Sequence, residues 1–124
     1  MGDLAKELVL KERRRAPRTY LDNAFINVYS QKIEDNIDFK AKVCDISSLG
    51  IRFVSHKPYI LDSKLNIALL SPTNSIVMGV TGRVVRSESR STHEYHIALE
   101  FKVDPKQQSS IEDYIKIMKM RKMG

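Results

Sequence analysis

Apolar and polar residues alternate along much of this chain with the period of two that is typical of half-buried β-strands. Phe39, Ala41 and Val43, for example, alternate with lysines at the two positions between them. Six runs of this kind are predicted to be strands, and they cover residues 23–29, 39–45, 51–53, 65–69, 75–86 and 95–101. Six short strands joined by closely spaced turns predict an antiparallel barrel or sandwich.

Turn-forming residues separate the strands and also occur inside the longest one. Residues 71–74, with the sequence Ser-Pro-Thr-Asn, predict a hairpin turn, and residues 87–92 predict a second polar turn. Gly79 and Gly82 interrupt the run between these two turns. Because glycine inside a strand often marks a bend or a bulge, we expect one or the other at these two positions.

The period changes near the carboxyl end, where apolar residues recur at helical spacing. Ile111, Ile115 and Met118 fall on one side of a predicted helix. Asp104 directly precedes a proline, and Gln107 follows it by three residues, which is a weak capping box. The sequence therefore predicts an amphipathic C-terminal α-helix, whose apolar side we expect to pack on the barrel rather than to meet a partner.

Length and composition fit one globular domain. The chain has 124 residues, and no apolar run approaches the ~20 residues that cross a membrane, so no membrane span is predicted. Its single cysteine, Cys44, excludes an internal disulfide and fits a reducing compartment. A cytoplasmic protein is the interpretation that these features favour.

Positive charge is concentrated in one short segment. Residues 11–18 hold five cations and one anion, a net charge of +4 out of +6 for the whole protein. Arg14 and Arg18 lie four residues apart, with Pro17 stiffening the segment between them. Guanidinium groups bond phosphate in pairs and stack on flat rings, so this run favours a planar or phosphorylated anion. A solvated basic surface is the plainer alternative.

A second motif follows about thirty residues later. Asp45-x-Ser47-x-x-Gly50 supplies a carboxylate, a hydroxyl and a glycine between two predicted strands. A carboxylate can accept bonds from the N–H edge of guanine, and a glycine allows the backbone to approach a ligand. Asp45 and Ser47 share parity with the core-facing Val43, so either the strand bulges near Cys44 or the two polar groups lie at the rim of the barrel. The plainer alternative is a local turn bonded to its own backbone.

Other site chemistry is not supported by the sequence. His93 and His96 are three apart, so on a strand their rings face opposite sides, and no cysteine or carboxylate cluster completes a metal site. No triad context and no glycine-rich phosphate loop before a helix is present. We therefore expect no catalytic residues, no metal and no cofactor, and a protein that is not an enzyme.

The order Arg14-x-x-x-Arg18 followed by Asp45-x-Ser47-x-x-Gly50 resembles the PilZ domain, a bacterial receptor for cyclic di-GMP. The resemblance covers about residues 12–122 and includes the strand-like segments 82–86 and 97–101. It implies a six-stranded antiparallel PilZ-like β-barrel with a C-terminal α-helix. It divides the chain into a flexible basic segment, residues 1–18, and a barrel with its helix, residues 19–124.

The resemblance also implies roles for single residues. Arg14 and Arg18 would clamp the phosphates and guanines of cyclic di-GMP. Asp45 would bond a guanine edge, Ser47 would add a polar contact, and Gly50 would permit the turn. The ligand would order the arginine segment against the barrel, and a downstream protein that the sequence does not identify would respond to the new surface.

Two further positions bear on this resemblance. Arg13 precedes the clamp, as in members that accept two stacked ligands rather than one. Ala98 is a departure, since the last strand often carries glycine there. Two other functions stay open at the level of sequence. One is an adaptor that binds a protein and no nucleotide, and the other, less favoured because few aromatics interleave with the cations, is a nucleic-acid-binding barrel.

Overall fold

The computed structural model describes residues 16–30 and 37–123. Arg13, Arg14 and the rest of the predicted flexible segment up to residue 15 therefore lie outside the described residues, as does most of the predicted turn at 30–36. The described chain forms seven strands and one helix: β1 (Thr19–Tyr20), β2 (Phe25–Tyr29), β3 (Phe39–Ser47), β4 (Gly50–Ser55), β5 (Lys64–Leu70), β6 (Ile76–Ser91), β7 (Glu94–Phe101) and α1 (Pro105–Met123).

Strands β2 to β7 form a closed barrel. Their order around it is β3, β2, β5, β6, β7 and β4, and β4 pairs again with β3. All of these pairings are antiparallel. The short β1 adds two residues to the edge of β3, where Thr19 pairs with Ile46 and Tyr20 with Asp45. The predicted six-stranded antiparallel barrel with one terminal helix is confirmed, and closure leaves few free strand edges.

The barrel interior is filled by the alternating apolar residues that predicted the strands. Phe53, Ile67 and Leu69 are fully buried, and Ile51 and Leu65 are nearly so. Burying a side chain of this size stabilises the fold by about 1.5–3 kcal/mol relative to leaving it in water. Alternation places their polar neighbours on the outer surface of the barrel, which is accessible to a ligand.

The strand β6 differs from its prediction. It runs unbroken over 16 residues, through both internal glycines and through most of the predicted turn at 87–92. Its pairing with β5 keeps one register from Lys64↔Arg83 to Leu69↔Met78. Neither Gly79 nor Gly82 therefore marks a bulge or an interruption of the strand. Gly82 is needed for packing instead, because a Cβ there would lie 2.6 Å from Leu99 Cγ.

The hairpin predicted at residues 71–74 is present between β5 and β6. The amide of Asn74 donates to the carbonyl of Ser71 at 2.9 Å, and Asn74 adopts a left-handed φ of 67°. Asparagine tolerates that conformation better than most residues do.

The helix α1 starts at the predicted capping box. The Gln107 amide donates to Asp104 Oδ1 at 2.8 Å, and the Asp104 amide donates to Gln107 Oε1 at 3.2 Å. Ile111, Tyr114 and Ile115 are buried against the barrel core, as expected from the spacing. The Tyr114 hydroxyl donates to the carbonyl of Leu70 at 2.7 Å, which ties the helix to the end of β5. Within the described chain, no helix has the length and apolar character needed to cross a membrane.

Candidate functional site

A β-bulge at Cys44 decides which way the candidate polar residues face. Val43 pairs with Phe53 of β4, but Asp45, two residues later, pairs with Arg52, which is only one residue away from Phe53. The extra residue reverses the alternation, so Ile46 enters the core with 1% exposure. Of the two alternatives left open by the sequence, the structure has the bulge. Asp45 and Ser47 consequently lie on the outer face of the barrel.

Two rows of cross-strand neighbours follow from this register. The first row runs Asp45, Arg52, Ala98 and Arg86 across β3, β4, β7 and β6. The second row, beside it, runs Ser47, Gly50, Glu100 and Arg83 across the same strands. Side chains directly opposite one another in such rows are close enough to interact.

A cavity of about 200 Å³ lies over these rows. It brings together four of the residues predicted to bind a ligand: Arg18, Asp45, Ser47 and Gly50. Ala98, Glu100 and Val85 are among its other lining residues. Val85 is there because β6 has its own bulge, between Val84 and Arg86. Ala16 also lines the cavity, so the chain that continues towards the arginine run starts at this opening.

Asp45 forms the shortest ion pair among the described residues of the site. Its side chain is only 3% exposed, and Arg52 Nη2 lies 2.8 Å from its Oδ2. Arg18 Nη1 lies 3.5 Å from Oδ1, and the Arg18 side chain is 64% exposed. The 2.8 Å contact is an ion pair without hydrogen-bond alignment: Asp45 Oδ2 and Arg52 Nε are both buried and have no aligned partner among the described residues. The buried carboxylate thus lies between two guanidinium groups, one close and sheltered, one longer and exposed.

Ser47 and Gly50 contribute in different ways. The Ser47 hydroxyl accepts a hydrogen bond from the Leu49 amide at 3.2 Å. Part of its role is therefore to stabilise the local turn, which was the plainer alternative at the level of sequence. At Gly50 a Cβ would lie 2.7 Å from the carbonyl oxygen of Leu99. Glycine is required there because strands β4 and β7 approach too closely for a side chain. This packing, rather than an unusual backbone conformation, explains the glycine.

The bulge residue Cys44 lies beside this pair. Burial raises the pKa of its thiol, and the nearby Arg52 opposes that shift only in part. The thiol is therefore protonated at neutral pH, which fits a small packing side chain better than a reactive nucleophile.

Arg52 is the member of this ion pair that sequence reasoning did not single out. It was visible as the polar residue between Ile51 and Phe53 in an alternating strand. Its partner could not be inferred, because the pairing of Arg52 with Asp45 depends on the bulge in β3. Glu100 and Val85 were missed for a related reason, since both reach the cavity through long-range strand pairing.

Fold and site together define a class: a small closed β-barrel with a carboxylate–arginine cavity on its outer face, at the point where a basic N-terminal segment joins. The model of the PilZ domain family matches residues 12–116. The chain therefore belongs to the PilZ domain family, as its paired motifs indicated.

Solved structures with the same fold include three that are informative. The Bacillus subtilis inhibitor of motility (MotI/DgrA) matches with a TM-score of 0.61 and 17% identity, over 89% of this chain and 53% of that one. The K. pneumonia MrkH–c-di-GMP complex matches with a TM-score of 0.60 and 17% identity, over 90% of this chain and 56% of that one. Escherichia coli YcgR in complex with c-di-GMP matches with a TM-score of 0.59 and 11% identity, over 90% of this chain and 48% of that one.

At these identities the likeness shows the fold. The chain spans about half the length of these three solved structures. No curated protein sequence matches it.

Proposed function

We propose that this protein is a receptor that binds cyclic di-GMP at the cavity formed by Arg18, Asp45, Ser47 and Gly50 and that it has no catalytic activity of its own. The observation that carries the proposal is the placement of Asp45. A nearly buried carboxylate between two guanidinium groups lines an open cavity on the face to which the basic segment leads. Two solved structures of this fold, MrkH and YcgR, are complexes with c-di-GMP.

The chemistry of the ligand matches these groups. Cyclic di-GMP has two phosphates, which suit guanidinium forks, and two guanines, whose N–H edges suit a carboxylate. The cavity of about 200 Å³ is smaller than the roughly 300–1,000 Å³ of pockets that enclose drug-sized ligands. The barrel therefore provides one side of the site. Arg14 is two residues before Ala16, within about 7 Å of it along the chain, so the arginine run can provide the other side.

The segment 16–19 also connects the cavity to the helix. Ala16 and Arg18 line the cavity described above, whereas Pro17 and Thr19 line a second cavity of about 260 Å³. Ile115, Lys116 and Lys119 of α1 also line that second cavity. Residues 16–19 thus separate the proposed ligand from the helix.

We infer that the ligand draws Arg18 towards its phosphates and that Pro17 and Thr19 move relative to α1. The altered surface of α1 and of the arginine segment is what a downstream protein would recognise. A ligand can shift such an equilibrium only by the difference in its affinity for the two states. Charge-assisted hydrogen bonds, at about 1.5–3 kcal/mol each, are large enough to offset the ordering of a few residues at about 1–2 kcal/mol each.

Calorimetric titration tests the binding proposal directly. We expect a heat signal with cyclic di-GMP at micromolar concentrations and none of that strength with GMP or GTP. Arg18→Ala should lose most of the affinity at fixed salt. Arg90→Ala is the matched control, because Arg90 also pairs with a carboxylate, Glu88 at 3.8 Å, but far from the cavity.

The same titration distinguishes the alternatives. A ratio of two ligands per protein would support the role that the resemblance implies for Arg13, and a ratio of one would count against it. A folded protein that gives no heat with cyclic di-GMP would overturn the receptor proposal. The adaptor that binds a protein and no nucleotide would then be the favoured function. Near-wild-type affinity in Arg18→Ala would refute the role of Arg18 as a clamp, although the proposal that the protein binds cyclic di-GMP would still stand.

Hydrogen exchange tests the link to the helix. We expect the ligand to change exchange rates in peptides from α1 as well as in those from residues 16–20. In Arg18→Ala, at a ligand concentration that saturates the variant, the change in α1 should be lost. An unchanged α1 in the saturated wild-type protein would show that the signal does not pass through this helix.

A further inference from the structure

The side chain of Arg52 forms an ion pair with Asp45 but does not itself line the cavity. The described residues that line it include both cross-strand neighbours of Arg52, which are Asp45 and Ala98. The Arg52 guanidinium lies 2.8 Å from Asp45 Oδ2, and that oxygen is buried. Arg52 can therefore act on a molecule in the cavity through the Asp45 carboxylate.

The two arginines that contact Asp45 are not equivalent. Arg52 lies within β4, which is paired on both sides, with β3 and with β7, and its side chain is 27% exposed. Arg18 precedes the two-residue strand β1, is 64% exposed, and is 3.5 Å from the other oxygen, Oδ1. A shorter and more sheltered ion pair is the stronger one, because water screens it less. A competing ligand should displace Arg18 before Arg52.

We propose that Arg52 is a positioning residue that holds Asp45 through Oδ2 and leaves Oδ1 as the oxygen that faces the ligand. The inference rests on the proposed function. In the empty protein both arginines neutralise the carboxylate. When the ligand enters, Arg18 leaves Oδ1 for a phosphate, an N–H donor of the base takes its place, and Arg52 remains. Arg52 allows this exchange because a buried carboxylate that loses one counter-ion still keeps the other.

The strand register determines which residues lie opposite Arg52. Its neighbour on β7 is Ala98, so no charged side chain lies opposite Arg52 on that strand. The bulge at Cys44 brings Asp45 opposite Arg52 on β3. The positioning role thus depends on two features of this chain: the bulge and the arginine two residues after Gly50.

A double-mutant cycle separates positioning from direct contact. Cyclic di-GMP affinity is measured by calorimetry for the wild type, Arg52→Met, Asp45→Asn and the double variant. We expect Arg52→Met to weaken binding at least tenfold in the wild-type background. In the Asp45→Asn background the same substitution should change affinity less than threefold, since there is no carboxylate left to position. Arg52→Lys should bind with intermediate affinity, and Arg90→Met, with the same loss of charge away from the site, should bind like the wild type.

Each result decides between explanations. An equal loss in both backgrounds would overturn the proposal and make Arg52 a direct ligand contact. Wild-type affinity in Arg52→Met would show that Arg52 has no role. If Arg52→Met does not fold, Arg52→Lys in the two backgrounds gives the same cycle, with the same outcome refuting it. Absence of binding by the folded wild type would instead reject the proposed function.

Discussion

Gly50→Ala provides a direct test of how closely strands β4 and β7 approach beneath the cavity. The methyl group would lie 2.7 Å from the carbonyl oxygen of Leu99, well inside an ordinary carbon–oxygen contact. The obstacle is backbone, which cannot rotate away as the end of a flexible side chain can. Relief therefore requires the two strands to separate by several tenths of an ångström, at the edge where Gly50 pairs with Glu100.

The expected magnitude follows from two opposing effects. Overpacking of this kind costs about 1–3 kcal/mol. Gly50 does not have a positive φ, so alanine can adopt its backbone conformation, and the reduced freedom of the unfolded chain returns about 0.4–1 kcal/mol. The net loss in the free energy of unfolding should be about 1–2 kcal/mol, or roughly 0.5–1 M in the urea midpoint for a slope near 2 kcal/mol/M.

Urea unfolding and calorimetry should be measured together, with Gly82→Ala as the control. A Cβ at Gly82 would lie 2.7 Å from the carbonyl oxygen of Glu100 and close to the Leu99 side chain, so it crowds the same strand. Gly82 does not belong to the described lining of the cavity, whereas Gly50 does. Both variants should lose stability, but only Gly50→Ala should also weaken cyclic di-GMP binding, by about tenfold or more. Wild-type stability in Gly50→Ala would refute the close approach of β4 and β7.

Two further predictions concern the helix α1. Burial raises the pKa of Tyr114 from 10.0 to about 12. The folded state therefore binds the phenolic proton more tightly, and stability that is fully present below pH 10 should be lost as the pH rises to 12, by up to about 2 kcal/mol. Urea midpoints measured from pH 9 to 12 should show a smaller fall in Tyr114→Phe, which at neutral pH loses about 1 kcal/mol with its bond to Leu70. Equal slopes in the two proteins would contradict this assignment. Asp104→Ala should lose about 1 kcal/mol because the cap on Gln107 is removed, whereas Asp104→Asn, measured beside it by thermal unfolding, should retain most of the stability. An Asp104→Ala variant as stable as the wild type would show that the capping box does not stabilise the helix.

Local patterns in the sequence were sufficient for most of the architecture. Alternation at Phe39, Ala41 and Val43 predicted the strand that the structure has, and spacing at Ile111 and Ile115 predicted the buried side of α1. These predictions succeeded because each depends on residues within a few positions of one another, and burial of one face is the dominant stabilising term.

The same reasoning failed where a glycine or a turn residue had a long-range cause. Gly82 suggested an interruption of the strand, yet the strand is continuous there and the glycine makes room for the Leu99 side chain on β7. Residues 87–91 are polar and suggested a turn, yet they form the outer end of β6, paired with β7. A protruding strand end needs no apolar face, so its composition resembles that of a loop.

The order of residues alone was enough to indicate a six-stranded barrel, a capped helix and a pair of motifs that resemble a known family, because periodicity and motif spacing are properties of neighbouring positions. The tertiary structure alone decided that β3 bulges at Cys44 and that Asp45 therefore faces outwards and meets Arg52. Both features depend on register between strands that are joined only through the fold. One extra residue in one strand reverses the facing of every residue after it, and local pattern cannot specify where that residue is accommodated.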